Sequence, residues 1–493
     1  MNRSSNIKLL NNKKYDFIII GGGASGLGCA LDASSRGYSV VLLEKYDFCK
    51  GTSSRSTKLI HGGVRYLENG QINLVYEALK ERDILKKNAS HLVKQVGFLI
   101  PVYNNFLKLY YFFGLKIYDF ISGNLSFEKS RIVNKKSAIE LVPNVYKENL
   151  KGGVVYFDGQ FDDSRLGIDI ALTSDLNNAI LLNYISVESL IKENGKIKGV
   201  NAHDSVNNNN FSVHSDNVIN ATGVFSKSIM DMDSNKLKSV IRPSQGVHLV
   251  VDKSFLKGNF GILVPKTSDG RVLFAVPWLD HVIIGTTDTV VDKPSFDPKS
   301  TEKEINFILE NIKNYLESHP LKKDIKSVFV GLRPLVANNS DSKSKDLSRK
   351  HKIIVSESGL VSIIGGKWTT YRRMAKNVID LTLKTTKLPF VKSNTADLKI
   401  KNGLSDIDFS KESLSDDFFL SKDMIIHYVN NEMALNLDDI MSRRSRCLFL
   451  NVKESIRIAP MVVKIMSNEL SKDEVWINEQ LKSFFNLTNI NKI

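Results

Sequence analysis

The pattern of apolar and polar positions is most regular between residues 15 and 44, where two short apolar runs flank a glycine-rich turn. Phe17-Ile18-Ile19-Ile20 is short, β-branched and uninterrupted, the pattern of a parallel strand covered on both faces. Leu27, Ala30, Leu31 and Ala33 then follow a helical period, and Val40-Val41-Leu42-Leu43 predicts a second buried strand. Residues 71–95 predict a helix with Leu74, Ala78, Leu79 and Leu85 on one face. Residues 106–121, FLKLYYFFGLKIYDFI, predict an aromatic helix interrupted by Lys108 and Lys116. From 152 to 223 strand-like runs dominate, broken by FDDSRL (161–166), where a helix begins with Asp162 or Asp163 near its N-terminus. Residues 196–219 alternate strands around the polar loop Asn207–Asn210 and lead into VINATG (218–223). Between 240 and 290, RPSQGVHLVVD, PKTSDGRVLFAVPW and VIIGTTDT read as successive strands of an antiparallel sheet. A helix over 301–317, the strand VGLRPL (330–335), a polar loop (338–350) and a strand pair returning to a helix (353–375) follow. From about residue 390 onward the pattern is read as helical, and no tandem repeat is present.

The first of these segments carries chemistry. Gly21, Gly23 and Gly26 stand in G-x-G-x-x-G spacing between the strand and the helix, with Gly28 just beyond. Such glycines permit a tight turn and let backbone N–H groups at the helix start, here around Ser25, approach a pyrophosphate. Glu44 ends the second strand roughly 20 residues past the glycines, where an acceptor for a ribose 2′-hydroxyl is expected. Strand, glycines, helix, strand and acid in this order predict a dinucleotide site. Glu at position 44 argues against a 2′-phosphate, and the motif alone does not separate NAD from FAD.

Composition narrows the class only modestly. A chain of 493 residues with 42% hydrophobic and 25% charged residues is long enough for two or three domains. Lys and Arg number 68 against 53 Asp and Glu, a net charge of +15. That excess suits an anionic partner such as a phosphorylated substrate, a nucleic acid or an anionic membrane surface, or else decorates a solvated surface through lysines spread along the chain. Cys29, Cys49 and Cys447 form no C-x-x-C pair, so neither a disulfide framework nor a zinc site is supported, and no metal is expected. A reducing cytosol is the expected compartment. The N-terminal MNRSSNIKLLNNKKYD lacks the apolar core of a signal peptide, and no run approaches the ~18 apolar residues of a spanning helix. The 106–121 stretch is read as an aromatic-packed helix over a substrate domain, with shallow insertion into a bilayer interface as the alternative.

The block GTSSRSTKLIHGGVRYLE (51–68) resembles the signature of FAD-dependent glycerol-3-phosphate dehydrogenases, the respiratory, quinone-linked flavin family. Further similar blocks come in the family's order: ATG (221–223), SQGVHLVVD (244–252), PW (277–278), GTTDT (285–289), GLRPL (331–335) and GGKWTTYR (365–372). DDIMSRRSRCLFL (438–450) is similar to the start of the family's C-terminal helical cap. The resemblance covers nearly the whole chain. Arg55 and Trp368 stand at variable positions, and the C-terminal tail is short by that standard.

The resemblance implies an α/β fold with a Rossmann-like FAD-binding domain of the glutathione-reductase/D-amino-acid-oxidase type, an antiparallel-sheet substrate domain and a C-terminal helical cap. The expected division is 1–95 with 150–235 and 352–388, then 96–149 with 236–351, then 389–493. The implied reaction oxidises sn-glycerol 3-phosphate to dihydroxyacetone phosphate, with hydride passing from C2 to flavin N5 and electrons to a membrane quinone. Arg65 and Arg333 would hold the phosphate, since guanidinium forks match its oxygens, and Tyr66 would add a hydroxyl. His248 would be the base, because imidazole titrates near working pH. Lys367 would favour an anionic reduced flavin or polarise the substrate oxygen, leaving the base unresolved between it and His248. Thr52, Ser53, Ser54, Lys58 and His61 would line a non-covalently bound flavin, together with Ala221, Gly223, Gly366 and Thr369.

Other readings on the same scaffold are an oxidase that passes electrons to oxygen and a flavoprotein acting on another 2-hydroxy acid or an amino acid. The latter leaves the Arg65–Arg333 pair unexplained. A non-catalytic flavin-binding redox sensor or assembly factor would be favoured by loss of Arg65, His248, Arg333 or Lys367, and all four are present. The expected location is peripheral, on the cytoplasmic face of a membrane. A nucleic-acid partner is not expected, and a homodimer is left open.

Overall fold

The computed structural model describes residues 1–10, 13–63, 70–123, 127–234, 241–336 and 351–493. Phe17–Ile20 and Val40–Leu43 are buried at every position and pair in parallel, as expected of strands covered on both faces. They lie within a six-stranded sheet of order Lys352–Val355, Val361–Ile364, Val218–Asn220, Phe17–Ile20, Val40–Leu43, Ile180–Leu182, parallel except at its first pair. Helices Ala24–Ser35, Asp163–Leu176 and Tyr371–Thr385 pack together on this part of the molecule and share one apolar core with it. Asp162 caps Asp163–Leu176, its side chain accepting from the N–H groups of Ser164 and Arg165. A three-stranded antiparallel meander, Ile185–Glu193, Lys196–Asp204 and Asn209–His214, stands beside it.

The second large sheet has ten strands and is mostly antiparallel. Its longest pair, Ile241–Asp252 against Ile325–Val336, carries the two glycine-containing blocks SQGVH and GLRPL directly opposite one another. Gly153–Gln160 and Leu59–Ile60, in segments assigned from sequence to the nucleotide domain, pair with each other in this sheet, and Gly153–Gln160 also pairs with Lys94–Pro101. The chain thus crosses from one sheet to the other within the block that begins at Gly51, between Val40–Leu43 and Leu59–Ile60. Helix Ile72–Asn88 follows with Val75, Ala78, Leu79 and Leu85 buried. The expected polar loop 338–350 lies outside the described residues.

The segment after residue 390 departs from expectation. Helices begin only at Lys422–Glu432 and continue with Cys447–Leu450, Val452–Leu470 and Glu474–Asn491. Before them the chain runs as turns along the nucleotide-binding part, where the Ile400 N–H donates to the Asn88 carbonyl. The hydroxyls of Ser393 and Thr395 donate to Asp32. Pro389 and a run of Ser, Asn and Asp residues explain the difference, because their side chains offer the backbone partners that compete with helix.

The C-terminal helices are joined to the rest by buried charge. Asp47, fully buried, accepts from Arg443 at 2.5 Å and from Arg444 at 2.8 and 3.0 Å. Burial alone would raise the Asp47 carboxyl, but the two guanidiniums outweigh it and hold its pKa below the ordinary value. Arg444 also reaches Glu432, which in turn pairs with Arg165. A buried ion pair of this kind is strongly destabilising when one partner is removed, by about 3–5 kcal/mol. Arg444→Met should therefore lower the thermal unfolding midpoint by several degrees, read by circular dichroism. An unchanged midpoint would show that Arg443 alone satisfies Asp47.

Candidate functional site

A single cavity of about 1680 Å³ runs from the glycine turn to the long strand pair of the large sheet. At one end it is lined by Gly21, Gly23, Ser25 and Glu44, with Ala221 and Gly223 from the turn after Val218–Asn220. Gly21 has φ +107°, and a Cβ there would stand 2.8 Å from the Ala221 carbonyl oxygen. Gly26 does not line the cavity. Its role is closeness, since a Cβ at Gly26 would fall 1.8 Å from the Gly21 oxygen. Helix Ala24–Ser35 thus rests on the turn with no side chain between, and its N-cap Gly23 supplies no capping side chain. The Glu44 carboxylate accepts from the N–H groups of Gly22 at 2.5 Å and Tyr46 at 2.9 Å, while burial pushes its pKa up.

The middle of the cavity is walled by Thr52, Ser53, His61, Gly366, Lys367 and Thr369. Ser53 accepts from the Ala24 N–H at 2.9 Å, its carbonyl accepts from the Trp368 indole at 2.8 Å, and Thr52 donates to the Leu332 carbonyl at 2.6 Å. Three distant stretches of sequence are thereby fixed to one wall. Ser54 and Lys58 were expected on that wall and do not reach it. Lys58 has φ +62°, which turns its side chain inward, where the ammonium is fully buried on Asp163 at 2.7 and 2.8 Å. Ser54 is buried behind it with its hydroxyl on the Gly51 carbonyl. The alternation has period two: Thr57, Leu59 and His61 line the cavity, while Lys58 and Ile60 face away from it.

At the far end the long strand pair brings His248 and Arg333 into one wall. Ser244 stands opposite Arg333, Gly246 opposite Gly331 and His248 opposite Phe329. Gly246 makes room for the guanidinium, because a Cβ there would lie 2.4 Å from Arg333 Nη2. Arg333 donates to the Thr287 carbonyl and the Thr286 hydroxyl, each at 3.0 Å, and lies 3.5 Å from Asp288. The His248 ring stacks on Phe329 at 4.7 Å, and its Nε2 lies 2.9 Å from the Thr57 hydroxyl. Burial, then the charges of Arg333 and Lys58, hold the His248 pKa well below 6.5. Arg65 and Tyr66 lie outside the described residues. Thr57, Thr286 and Asp288 were not singled out from sequence, although all three fall inside quoted blocks. The period-two alternation of 57–61 would have exposed Thr57.

The mouth of the cavity is apolar. Phe106, Leu109, Tyr110 and Phe113 of helix Asn105–Ser122 line it. The expectation of a packed aromatic helix is corrected here: among its side chains only Leu115, Tyr118 and Ser122 are buried, while Phe106, Phe113 and Phe120 are 75%, 63% and 88% exposed. The periodicity that predicted the helix does not reveal that only one narrow stripe of it finds a partner. Among the described residues no helix is long and apolar enough to cross a membrane.

Comparison with known proteins accords with this architecture. Residues 16–372 match the FAD dependent oxidoreductase family, and residues 404–475 match the C-terminal domain of alpha-glycerophosphate oxidase. The chain is 36% identical to the mitochondrial glycerol-3-phosphate dehydrogenase of Homo sapiens over 97% of its own length and 73% of the relative's. It is 33% identical to the mitochondrial glycerol-3-phosphate dehydrogenase of Saccharomyces cerevisiae, covering 97% and 90%. The solved glycerol-3-phosphate dehydrogenase of Bacillus halodurans, complexed with FAD, superposes with a TM-score of 0.79 at 28% identity, covering 99% and 97%. This chain belongs to the FAD-dependent glycerol-3-phosphate dehydrogenase family. The open choice between NAD and FAD is thereby decided for FAD.

The cavity suits that cofactor. Its volume exceeds the ~300–1,000 Å³ of common ligand pockets, leaving room for a dinucleotide and a small substrate. The side-chain-free turn at Gly21 and Gly23 offers backbone donors to a pyrophosphate, and each Glu44 oxygen keeps a second lone pair for a ribose hydroxyl. Gly26→Ala should force the helix off the turn and weaken FAD binding about 10- to 100-fold, from an overpacking cost of ~1–3 kcal/mol. Flavin absorbance per mole of purified protein measures this, and full occupancy would contradict the close-approach argument.

Proposed function

We propose that this enzyme oxidises the C2 hydroxyl of sn-glycerol 3-phosphate to dihydroxyacetone phosphate and passes the electrons to a membrane quinone. The observation that carries the reading is the shared wall of Arg333 and His248, a cationic fork and a neutral imidazole on adjacent strands facing the FAD cavity. Bound FAD supplies the hydride acceptor. Arg333, oriented by the Thr286 hydroxyl and the Thr287 carbonyl, holds the phosphate, with Arg65 and Tyr66 as its partners in this reading. Binding energy from the phosphate, remote from the reacting carbon, aligns C2 for transfer. His248 takes the hydroxyl proton, and its lowered pKa keeps it deprotonated and competent. The Lys367 side chain supplies positive charge at the same cavity, where negative charge develops on the substrate oxygen or the reduced cofactor. The wider reading divides the chain into a discontinuous flavin domain, a substrate domain and a C-terminal helical domain, with the reactive centre where they meet.

The aromatic helix favours a membrane acceptor over oxygen. An exposed apolar face on a helix too polar to span the bilayer suits shallow insertion, and here that face continues into the cavity mouth. A quinone headgroup then has an apolar route toward the flavin, and the enzyme works as a peripheral protein whose +15 charge adds attraction to anionic lipid.

Arg333→Ala should cost about 2–5 kcal/mol in kcat/KM for glycerol 3-phosphate, the range for truncating one partner of a desolvated charge pair. Glycerol itself should be a very poor substrate for the unaltered enzyme. Comparable use of the two alcohols would overturn the phosphate clamp. The pH dependence has a defined sign. A base with a lowered pKa stays neutral to lower pH, so turnover at saturating substrate should persist below pH 6.5 and fall only in more acidic buffer. Loss of turnover already at pH 7 would move the proton to another group. Replacing Phe106, Phe113 and Phe120 together by Ser should abolish co-sedimentation with anionic vesicles, and retained binding would place the membrane contact elsewhere.

A further inference from the structure

Asp163 is the most heavily hydrogen-bonded carboxylate near the site, yet it touches no part of the cavity. It is fully buried and accepts from the Ser56 N–H at 2.9 Å, the Ser56 hydroxyl at 2.7 Å and the Ser164 N–H at 2.8 Å. It also accepts from the Lys58 ammonium at 2.7 and 2.8 Å and from Arg446 at 3.1 Å. Lys58 and Arg446 both donate to the Ser54 carbonyl as well, at 2.7 and 2.6 Å. Ser56 and Lys58 are therefore bound directly to Asp163, and the Ser54 carbonyl is bound to the same two cations. Thr57 lies between Ser56 and Lys58 and lines the cavity, where its hydroxyl meets His248 Nε2 at 2.9 Å.

His248 is short of other restraints. Its Nδ1 is buried without a hydrogen-bond partner among the described residues, and its ring is otherwise held by stacking on Phe329 and by the close backing of Gly285. The Thr57 hydroxyl is thus the polar contact that fixes the ring about its own axis, and a misaligned base loses proton-transfer efficiency steeply. We propose that Thr57 is a positioning residue for His248 and that Asp163, gripping Ser56 and Lys58, is the anchor that holds Thr57 in place. The role of Arg446 follows: the C-terminal segment contributes to the geometry of the base without reaching the substrate. Burial opposes the charge on Asp163, but Lys58 and Arg446 outweigh it and keep the carboxylate ionised. This inference rests on His248 accepting the substrate proton.

The test is anaerobic stopped-flow reduction of the bound FAD by glycerol 3-phosphate, across pH, with flavin content and substrate affinity measured in parallel. Thr57→Val should slow flavin reduction about 10-fold or more, a part of the ~10²–10⁴-fold that a general base contributes, and should displace the pH profile. FAD content and substrate affinity should stay close to the unaltered enzyme, because Arg333 is untouched. Thr57→Ser, which keeps the hydroxyl, should recover most of the rate and the original profile. Asp163→Asn should reproduce the Thr57→Val defect. Should that variant fail to fold, Ser56→Ala, which removes a single hydroxyl from Asp163, replaces it with an expected several-fold loss. Unaltered rate and pH profile in Thr57→Val, or in the Asp163 or Ser56 variant, would overturn the inference. His248→Asn in the same series separates the two levels. If it is slow while Thr57→Val is unaffected, only the positioning claim fails; if it reduces at full rate, the reading of His248 as base fails.

Discussion

Two buried carboxylates, Asp47 and Asp163, bracket the stretch from which much of the cavity wall is built. Asp47 holds Arg443 and Arg444, and Asp163 holds Lys58 and Arg446. Between them lie Gly51, Thr52, Ser53, Ser56 and Thr57, all facing the cavity. Bare burial of either carboxylate would be prohibitive, so each requires its cations, and those cations come from both ends of the chain. The C-terminal segment thus supplies cations on which the packing behind this wall depends.

Backbone without side chains serves the same end. Gly21 and Gly26 let a helix N-terminus approach a strand end, and Gly246 leaves a notch for the Arg333 guanidinium. At both ends of the cavity a functional group gains its place because a Cβ is missing nearby. The polar side chains assigned to the site in the proposed reaction are then few: Glu44 at one end, Lys367 in the middle, and Arg333 and His248 at the other.

The sequence made some of this legible for physical reasons. The apolar run at residues 17–20 is unbroken because helices cover one face of its sheet and the three-stranded meander packs on the other, and an added Cβ at Gly21 or Gly26 would fall within 3 Å of backbone. The strand-like runs at 244–252 and 330–335 were legible, whereas their antiparallel pairing, which places Arg333 and His248 in one wall, is seen only in the fold. Lys58 was not legible as a structural residue. Its inward turn depends on a positive φ and on Asp163 and Arg446, which are distant in sequence. Nor could the pattern of residues 106–121 tell a packed aromatic helix from an exposed one, because its periodicity does not report the absence of a partner surface. The segment 389–421 carries a helical pattern in sequence, but Asn88 and Asp32, distant along the chain, bind it at Ser393 and Thr395 in turns.

One cavity joins the wall proposed to hold the phosphate to an apolar entrance, so reduction and reoxidation of the flavin should depend on different partners. Sequential anaerobic mixing tests this most directly: glycerol 3-phosphate first, then either a quinone in anionic vesicles or dissolved oxygen. The account predicts that glycerol 3-phosphate bleaches the bound FAD and that vesicle-borne quinone restores its colour faster than oxygen does. Failure to bleach, or reoxidation that is fast with oxygen, slow with quinone and accompanied by peroxide, would contradict it.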